Sequence, residues 1–233
     1  MKLIDLAELP GDTERFDKYL HRLCDELEFD FASYAVSHPL TNDVQGYHTY
    51  PEAWKEHYGR SGYHTIDPTI YQSMRSVAPV DWSRFRRDEN FSSVFNDASE
   101  FGISPRGLTV PIRGPLGECG LLSVTRNCVD REWDMLKSKV MGNLQTAAVH
   151  IHDHVVQSRQ MASLLGASQL STREVEILQW CAMGKTQQDI AAILGISHRT
   201  VEVHLRSSRT KLSALTTAQA VGRALVCGVI EPG

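Results

Sequence analysis

The chain has 233 residues, of which 42% are hydrophobic and 22% charged, as expected for a soluble globular protein of one or two domains. Its five cysteines are scattered without a Cys-x-x-Cys spacing, which argues against a disulfide framework or a zinc site. No apolar segment approaches the length of a membrane span, and the acidic N-terminus lacks the apolar core of a signal peptide. We therefore expect a cytoplasmic protein.

The net charge of −4 is unevenly distributed along the chain. Residues 170–233 hold 7 Lys and Arg against 5 Asp and Glu, whereas residues 1–169 hold 17 against 23. The C-terminal part is therefore mildly basic. One copy of this part would offer few contacts to a polyanion such as a nucleic acid, so tight binding of that kind would need two copies.

The first part of the chain mixes helical and strand patterns in an order typical of an α+β domain. Helices are predicted at 13–27, 51–58, 67–76, 90–100 and 131–156, and strands at 29–36, 45–49, 107–112 and 119–126. The last two strands flank the turn sequence RGPLGE, which indicates an antiparallel hairpin. We therefore predict an α/β/α sandwich with helices around an antiparallel sheet.

The segment 50–72 is rich in aromatic residues at helical spacing. Pro51 suits the first turn of a helix and Gly59 suits its end. Trp54 and Tyr58 are four residues apart and are therefore expected on one face of this helix.

Other residues outside this helix are candidates for the same site. Asp67 is predicted to cap the next helix, with Pro68 at its first position. The candidates then comprise Tyr50, Trp54, Tyr58, Asp67, Trp82, Ser123 and the strand 107–111. If they converge, they enclose an apolar chamber with a few polar groups, the kind of site that orients a small amphipathic ligand. The alternative is a plain aromatic core with an ordinary helix cap.

The segment 170–212 predicts three short helices in the order of a helix-turn-helix. Ser171 and Glu174 form a capping box at the start of the first helix, and Gly184 ends it. Thr186 caps the second helix, with Asp189 at its third position, and Gly195 ends that helix. Only two residues separate Gly195 from the third helix, so the two helices must cross sharply.

The third helix, predicted from His198 to Ser213, has two unlike faces. A buried stripe is expected from Val201, Leu205, Ser208 and Leu212, and the opposite face carries Arg199, Glu202, Val203, Arg206, Arg209 and Thr210. Arginine can bind guanine with two hydrogen bonds, glutamate can accept from cytosine, and valine can contact the thymine methyl group. His198 and Lys211 lie at the rim, where phosphate contacts are expected. This face therefore predicts DNA recognition; the alternative is a solvated face of an ordinary helical bundle.

Two further segments complete the predicted organisation. Residues 158–169 lack large apolar periodicity and are the expected linker between a first domain at 1–157 and a helix-turn-helix domain at 170–233. A fourth helix at 217–227 completes the all-α domain and is expected to offer Ala220, Ala224 and Cys227 to a partner subunit. The long helix at 131–156 is the other candidate for a dimer contact.

The segment 170–212 closely resembles the DNA-binding domain of LuxR-type transcription regulators. Glu174, Leu178 and Gly184 stand at the family's positions, and Thr200 and Val201 open the recognition helix. Many relatives carry a basic or amide residue where this chain has Glu202. The first domain resembles the family's autoinducer-binding domain. The residues that match the family's characteristic positions are Trp54, Tyr58, Asp67, Pro68, Trp82 and Gly107.

The resemblance implies a quorum-sensing regulator that binds an N-acyl-homoserine lactone and needs no cofactor. Trp54 would donate to the lactone carbonyl and Asp67 would accept from the ligand amide. Tyr50 and Ser123 would serve the amide carbonyl, while Tyr58, Ile70 and Trp82 would line the acyl region. A homodimer would bind an inverted repeat in double-stranded DNA, and an activator would also contact RNA polymerase.

Several other classes of protein fit the sequence less well. A phosphorylation-driven regulator is disfavoured because the first domain lacks the alternating strand-helix order of a receiver. A lactone-degrading enzyme is disfavoured because no serine or cysteine stands in a nucleophile pattern. His150 and His154 have a chelating spacing without a third ligand, so no metal site is expected. A regulator of the same family that binds an aryl or other non-lactone ligand, or acts without one, stays open.

Overall fold

The computed structural model describes residues 13–37, 44–114, 118–157 and 170–231. They form two compact units, the first built from residues 13–37, 44–114 and 119–156, the second containing residues 170–231. The N-terminal segment 1–12, the middle of the predicted RGPLGE turn and the predicted linker 158–169 lie outside the described residues.

The first unit is a five-stranded antiparallel sheet with helices on both faces, which confirms the predicted α/β/α sandwich. Its helices are α1 (Thr13–Leu27), α2 (Glu52–Ser61), α3 (Pro68–Tyr71), α4 (Glu89–Glu100) and α5 (Asp130–Gln157). Its strands are β1 (Phe31–Ser37), β2 (Val44–His48), β3 (Val80–Asp81), β4 (Gly107–Arg113) and β5 (Cys119–Thr125), in the sheet order β2-β1-β5-β4-β3.

One face of the sheet packs against α1 and α5. The hydroxyl of Tyr34 on β1 lies 2.7 Å from Nδ1 of the buried His152 on α5. Gly120 on β5 lies directly beneath the same imidazole, where a Cβ would collide with its ring. On α1, Phe16 stacks on Tyr47, with ring centroids 4.7 Å apart. The opposite face is left to α2, α3 and α4.

Two local predictions for the first unit were wrong, and one short strand was not predicted. The helix expected to end at Gly59 continues to Ser61, because Gly59 stays helical and Gly62, at φ +67°, supplies the left-handed residue. The helix expected at 67–76 divides into α3 and a separate 3₁₀ turn at Ser73–Arg75. The two-residue strand β3 was missed because so short a strand carries no periodicity.

Within residues 170–231, the second unit has four helices, as predicted: α6 (Thr172–Ala182), α7 (Gln187–Leu194), α8 (His198–Lys211) and α9 (Thr217–Val226). Both predicted capping boxes form, one from Ser171 and Glu174 and one from Thr186 and Asp189. Gly195 takes φ +63° at the end of α7. At the other end of this turn, the Ser197 hydroxyl caps α8 by accepting the Thr200 backbone N–H at 3.1 Å, so local backbone chemistry fixes both ends of the turn.

The core of the second unit is aliphatic. It includes Ile177 and Leu178 from α6, Ile190 from α7, and Val201 and Leu205 from α8, each at most 2% exposed. Ser208 and Leu212 are also buried, which confirms the predicted stripe on α8.

The predicted role of α9 in offering three residues to a partner was wrong. Ala220 and Ala224 are fully buried in the core of the second unit, and Cys227 is fully buried as well. Their small side chains let α9 pack closely against α6 and α8, so they are not available to another subunit. The exposed side of α9 carries Gly222 and Val226 instead.

Candidate functional site

A cavity of about 240 Å³ lies in the first unit between the sheet and α2, α3 and α4. All the residues predicted to bind the ligand line it: Tyr50, Trp54, Tyr58, Asp67, Ile70, Trp82 and Ser123. The structure thus brings together residues spread over more than 70 positions of the sequence. Their individual contacts with a ligand stay predictions.

Asp67 is the buried carboxylate of this cavity. It caps α3, as predicted, by accepting the Thr69 backbone N–H at 2.8 Å on Oδ1. Its other oxygen, Oδ2, accepts the Tyr58 hydroxyl at 2.8 Å. Burial raises the pKa of Asp67, and these hydrogen bonds act in the opposite direction. The carboxylate therefore has a fixed orientation and retains acceptor capacity.

The aromatic cluster around Trp54 forms the roof of the cavity. The Trp54 ring packs against Tyr58 and Tyr63, with centroids 5.6 and 6.1 Å away, and against His57 at 5.9 Å. On α4, Asp97 accepts the Tyr63 hydroxyl at 2.5 Å and lies 2.7 Å from Nε2 of His57. These polar contacts tie α2 and the following turn to α4, and so hold the indole of Trp54 in place.

Trp82 forms one wall of the cavity, and its indole nitrogen already has a hydrogen-bond partner. Its indole N–H donates to the Thr109 hydroxyl at 2.9 Å, and that hydroxyl lies 2.8 Å from the Ser123 hydroxyl. A Cβ on Gly107 would lie 2.5 Å from the indole ring, so only glycine lets the ring rest on β4. Trp82 therefore presents apolar surface to the cavity, which is consistent with its predicted place beside the acyl chain.

Several lining residues were not identified from the sequence. Ser33, Ala35, Gly46, His48 and Leu121 line the cavity from β1, β2 and β5. The sequence signal for these residues was the alternation of side chains between the two faces of each strand. It puts residues 33 and 35 of β1 on one face of the sheet, and likewise residues 46 and 48 of β2. The pairing of these strands places them side by side, and that pairing is not readable from the sequence alone.

In the second unit, α8 presents most of the predicted DNA-binding face to solvent. His198, Arg199, Glu202, Val203, Arg206 and Thr210 are exposed, whereas Arg209 and Lys211 are partly buried. Arg206 donates from Nη2 to Oε1 of Glu202 at 3.1 Å, one helical turn earlier. Two of the side chains predicted to contact bases are thus paired with each other, and both stay more than 45% exposed.

Lys211 is held by an ion pair inside the second unit. Its Nζ lies 2.8 Å from Oε2 of Glu174, whose side chain is only 4% exposed. The same oxygen of Glu174 accepts the Ser171 backbone N–H at 2.6 Å in the capping box. The pKa of Glu174 falls to about 2, because its hydrogen bonds to Lys211, Ser207 and Ser171 outweigh the effect of burial. This pair joins the start of α6 to the end of α8.

The remaining candidates do not form a site. His152 is buried against Tyr34, whereas His150 is exposed, so His152 lies on a different face of α5 from His150 and His154, which are one helical turn apart. Within the described ranges, no three His, Cys, Asp or Glu side chains are placed to hold a metal ion. None of the helices described is both long and apolar enough to cross a bilayer.

Comparisons with known proteins identify both units. Residues 12–155 match the autoinducer binding domain family, and residues 168–224 match the bacterial regulatory proteins of the luxR family. The chain is 35% identical to the HTH-type quorum-sensing regulator RhlR of Pseudomonas aeruginosa, over 88% of this chain and 85% of that protein. It is 32% identical to the transcriptional activator protein RaiR of Rhizobium etli, over 94% and 89% respectively.

The solved structures agree with these matches. The crystal structure of Escherichia coli SdiA superposes with a TM-score of 0.72 at 26% identity, covering 97% of this chain and 95% of that one. A complex of SdiA with octanoyl-rac-glycerol gives the same TM-score over 98% of this chain and 94% of that chain. The chain therefore belongs to the LuxR family of quorum-sensing transcription regulators, which confirms the resemblance seen in the sequence. The members of this family are transcription regulators rather than enzymes.

Proposed function

We propose that this protein binds an N-acyl-homoserine lactone in the cavity of its first unit and, as a dimer, binds inverted-repeat DNA through α8. The observation that carries the proposal is the cavity itself. It places one buried carboxylate and a few hydroxyl groups among apolar and aromatic walls, the combination that binds a small amphipathic molecule in one orientation.

The ligand is placed by the polar groups of the cavity. Asp67 accepts the ligand amide N–H, Trp54 donates to the lactone carbonyl, and Tyr50 and Ser123 serve the amide carbonyl. A buried carboxylate is costly unless it accepts hydrogen bonds, and the ligand amide supplies one more.

The acyl chain lies against the apolar walls of the cavity. Ile70 and Trp82 line this region, as does the ring of Tyr58, whose hydroxyl stays on Asp67. Without ligand, the apolar walls face water. Ligand therefore stabilises the folded, dimer-competent form, and the ligand-free form is marginally stable.

The ligand proposal is tested by the melting temperature of the full-length protein in a series of acyl-homoserine lactones of increasing chain length. Ligand at 100 times its dissociation constant stabilises by about 2.7 kcal/mol. For a unit of this size we expect a rise of about 5–10 °C that peaks at one chain length. An unchanged melting temperature with every lactone, in protein free of bound small molecules, would remove the lactone from the proposal.

A non-lactone acyl ligand is the alternative. The structural neighbour SdiA is seen in complex with octanoyl-rac-glycerol, an acyl chain on a different polar head. The melting temperature should therefore also be measured with a monoacylglycerol that carries an octanoyl chain, as in that complex. A larger rise with the glycerol ester than with any lactone would assign the cavity to that ligand class. A regulator that acts without ligand would show equal DNA binding with and without either compound.

The DNA-binding proposal assigns direct base contacts to Arg199, Glu202, Val203 and Arg206. Arg209 and Thr210 flank them, and His198 and Lys211 contact phosphates. A two-fold dimer places its two α8 helices in successive major grooves, about one DNA turn apart, which requires an inverted repeat. On α5, Met135 and Val149 are 65% and 56% exposed, so this helix offers apolar surface for the dimer.

The division of labour follows the two units. Residues 1–157 form the ligand domain, 158–169 the linker and 170–233 the DNA-binding domain. We place the protein in the cytoplasm, where the DNA is, with RNA polymerase as an additional partner if the protein activates transcription.

Arg206→Ala is expected to weaken DNA binding by about 1–3 kcal/mol and to relax specificity at one base pair. The arginine is exposed on α8, where it can bind guanine with two hydrogen bonds. The measurement is a binding titration against the operator and against single-base variants of it. Arg60→Ala, which removes an exposed arginine from the first unit, serves as control. Loss of the lactone-induced thermal shift in Arg206→Ala would contradict the proposed division of labour.

A further inference from the structure

A row of polar side chains runs across the sheet from β2 to β4, and most of it forms the floor of the cavity. His48 on β2 is paired with Ser33 on β1, Ser33 with Ser123 on β5, and Ser123 with Thr109 on β4. Side chains of directly paired residues lie on the same face of a sheet. His48, Ser33 and Ser123 line the cavity, and Thr109 lies buried behind Trp82.

The two ends of this polar row differ. At the β4 end, Trp82 donates to Thr109, whose hydroxyl lies beside that of Ser123. In the middle, Ser33 shares a hydrogen bond with the Tyr50 hydroxyl. At the β2 end, Nδ1 of His48 is buried and pairs with no other residue that the structure describes, while the imidazole's recorded hydrogen bond is to its own backbone. Buried polar atoms are normally paired, so an unpaired one beside a ligand cavity points to a polar group that arrives with the ligand.

The surroundings of His48 favour the neutral form of its imidazole. Burial lowers its pKa below the ordinary value, and the nearby positive charge of Lys55 acts in the same direction. The hydrogen bond to the backbone of His48 itself opposes this shift, and Asp17 and Glu52 oppose it more weakly. A neutral imidazole has one N–H donor and one acceptor nitrogen, so it can pair with either a carbonyl or a hydroxyl group.

The next row of the cavity floor is apolar. It consists of Gly46, Ala35 and Leu121, about 7 Å further along the strands. Gly46 cannot take a larger side chain there, because a Cβ would lie 2.8 Å from the carbonyl oxygen of Tyr34. The floor therefore changes from polar to apolar over the length of a few ligand atoms.

We propose that His48 is a specificity-determining residue. It selects lactones that carry an oxygen on the third acyl carbon, as a 3-oxo or 3-hydroxy group, over unsubstituted chains of equal length. The inference rests on the proposed function, which places the ligand amide between Tyr50, Ser123 and Asp67. The rings of His48 and Tyr50 are 6.1 Å apart, so the first acyl carbons after the amide come within reach of His48. The rest of the chain then lies over the apolar row.

Competition among three lactones for the cavity, within one protein preparation, tests the inference. It does not require the ligand-free protein to be stable. The full-length protein is produced in cells supplied with equimolar octanoyl-, 3-oxooctanoyl- and 3-hydroxyoctanoyl-homoserine lactone, and the retained ligands are extracted and quantified by mass spectrometry. One additional neutral hydrogen bond predicts an enrichment of about 3- to 10-fold for at least one oxygenated lactone.

Variants of His48 separate its role from that of the cavity as a whole. His48→Phe keeps a flat ring and removes both nitrogens, so the enrichment should fall to about 1 while lactone is still retained. His48→Leu should behave in the same way and replaces it if the phenylalanine variant is insoluble. His48→Gln keeps a donor and an acceptor and should retain part of the enrichment. The control is His150→Phe, which changes an exposed histidine on α5 and should behave like the native protein.

The outcomes distinguish the inference from the proposed function. Native protein that retains no lactone contradicts the proposed function. Native protein that retains all three lactones without enrichment contradicts the inference alone. An enrichment that persists unchanged in His48→Phe or His48→Leu also overturns it, because the selecting group must then lie elsewhere in the cavity.

Discussion

Asp67→Asn is expected to weaken lactone binding by about 10- to 100-fold and to abolish most of the ligand-induced rise in melting temperature. A hydrogen bond to a charged group contributes about 1.5–3 kcal/mol, and asparagine loses this charge while keeping the size of the side chain. Asparagine is also as good a helix cap as aspartate, so α3 should stay intact. The measurement is a ligand titration followed by tryptophan fluorescence, together with the thermal shift.

A matched control for this change exists in the same unit. Asp88 caps α4 by accepting the Phe91 backbone N–H at 3.0 Å, and it is exposed outside the cavity. Asp88→Asn makes the same chemical change at a second helix cap and should leave lactone affinity unchanged. Equal losses in the two variants would mean that Asp67 acts through the helix cap and not through the ligand.

Glu174→Gln is expected to destabilise the second unit by about 3 kcal/mol at pH 7. The carboxylate is nearly fully buried and binds both Lys211 and the start of α6. Its pKa falls from an ordinary 4.5 to about 2 in the folded protein. Each unit of pKa difference corresponds to about 1.4 kcal/mol, which gives the expected loss. Urea unfolding of the second unit, followed by Trp180 fluorescence, measures it.

The same pKa shift fixes the sign of the pH dependence. Because the folded-state pKa is lowered, the contribution of Glu174 is complete above pH 4.5 and is lost as the pH falls towards about 2. The difference between native protein and Glu174→Gln should therefore shrink to less than half at pH 3. Glu176→Gln, which removes a half-buried partner of Arg173 on the same helix, is the control and should cost little at either pH. A difference that does not change with pH would contradict the ionic origin.

Much of the second unit was predictable because each helix carries its own start and stop signals. Ser171 and Thr186 provide hydroxyl caps, and Gly184 and Gly195 provide left-handed residues, all within a few positions of the helix they bound. Such signals depend on local backbone chemistry and do not require the tertiary structure. Periodicity then identified the buried stripe of α8.

Long-range pairing accounts for most of what was missed. Lys211 and Glu174 are 37 residues apart, and neither helix pattern shows that they meet. Periodicity placed Ala220 and Ala224 on one face of α9, but it could not show whether that face meets its own core or a partner. Likewise, the polar row across the cavity floor depends on strand register, which brings His48 and Ser33 together from separate strands.

The two cores of this protein are built from different residue types, and this separates their optical signals. All seven tyrosines and all seven phenylalanines precede Gly102, and the second unit holds a single aromatic residue, Trp180. Trp54 and Trp82 line the cavity, and Trp133 is buried on α5. In a Trp180→Phe protein, all indole emission would come from the ligand domain. The difference from the native spectrum would report the DNA-binding domain alone. The two domains of one intact chain can therefore be followed separately by fluorescence.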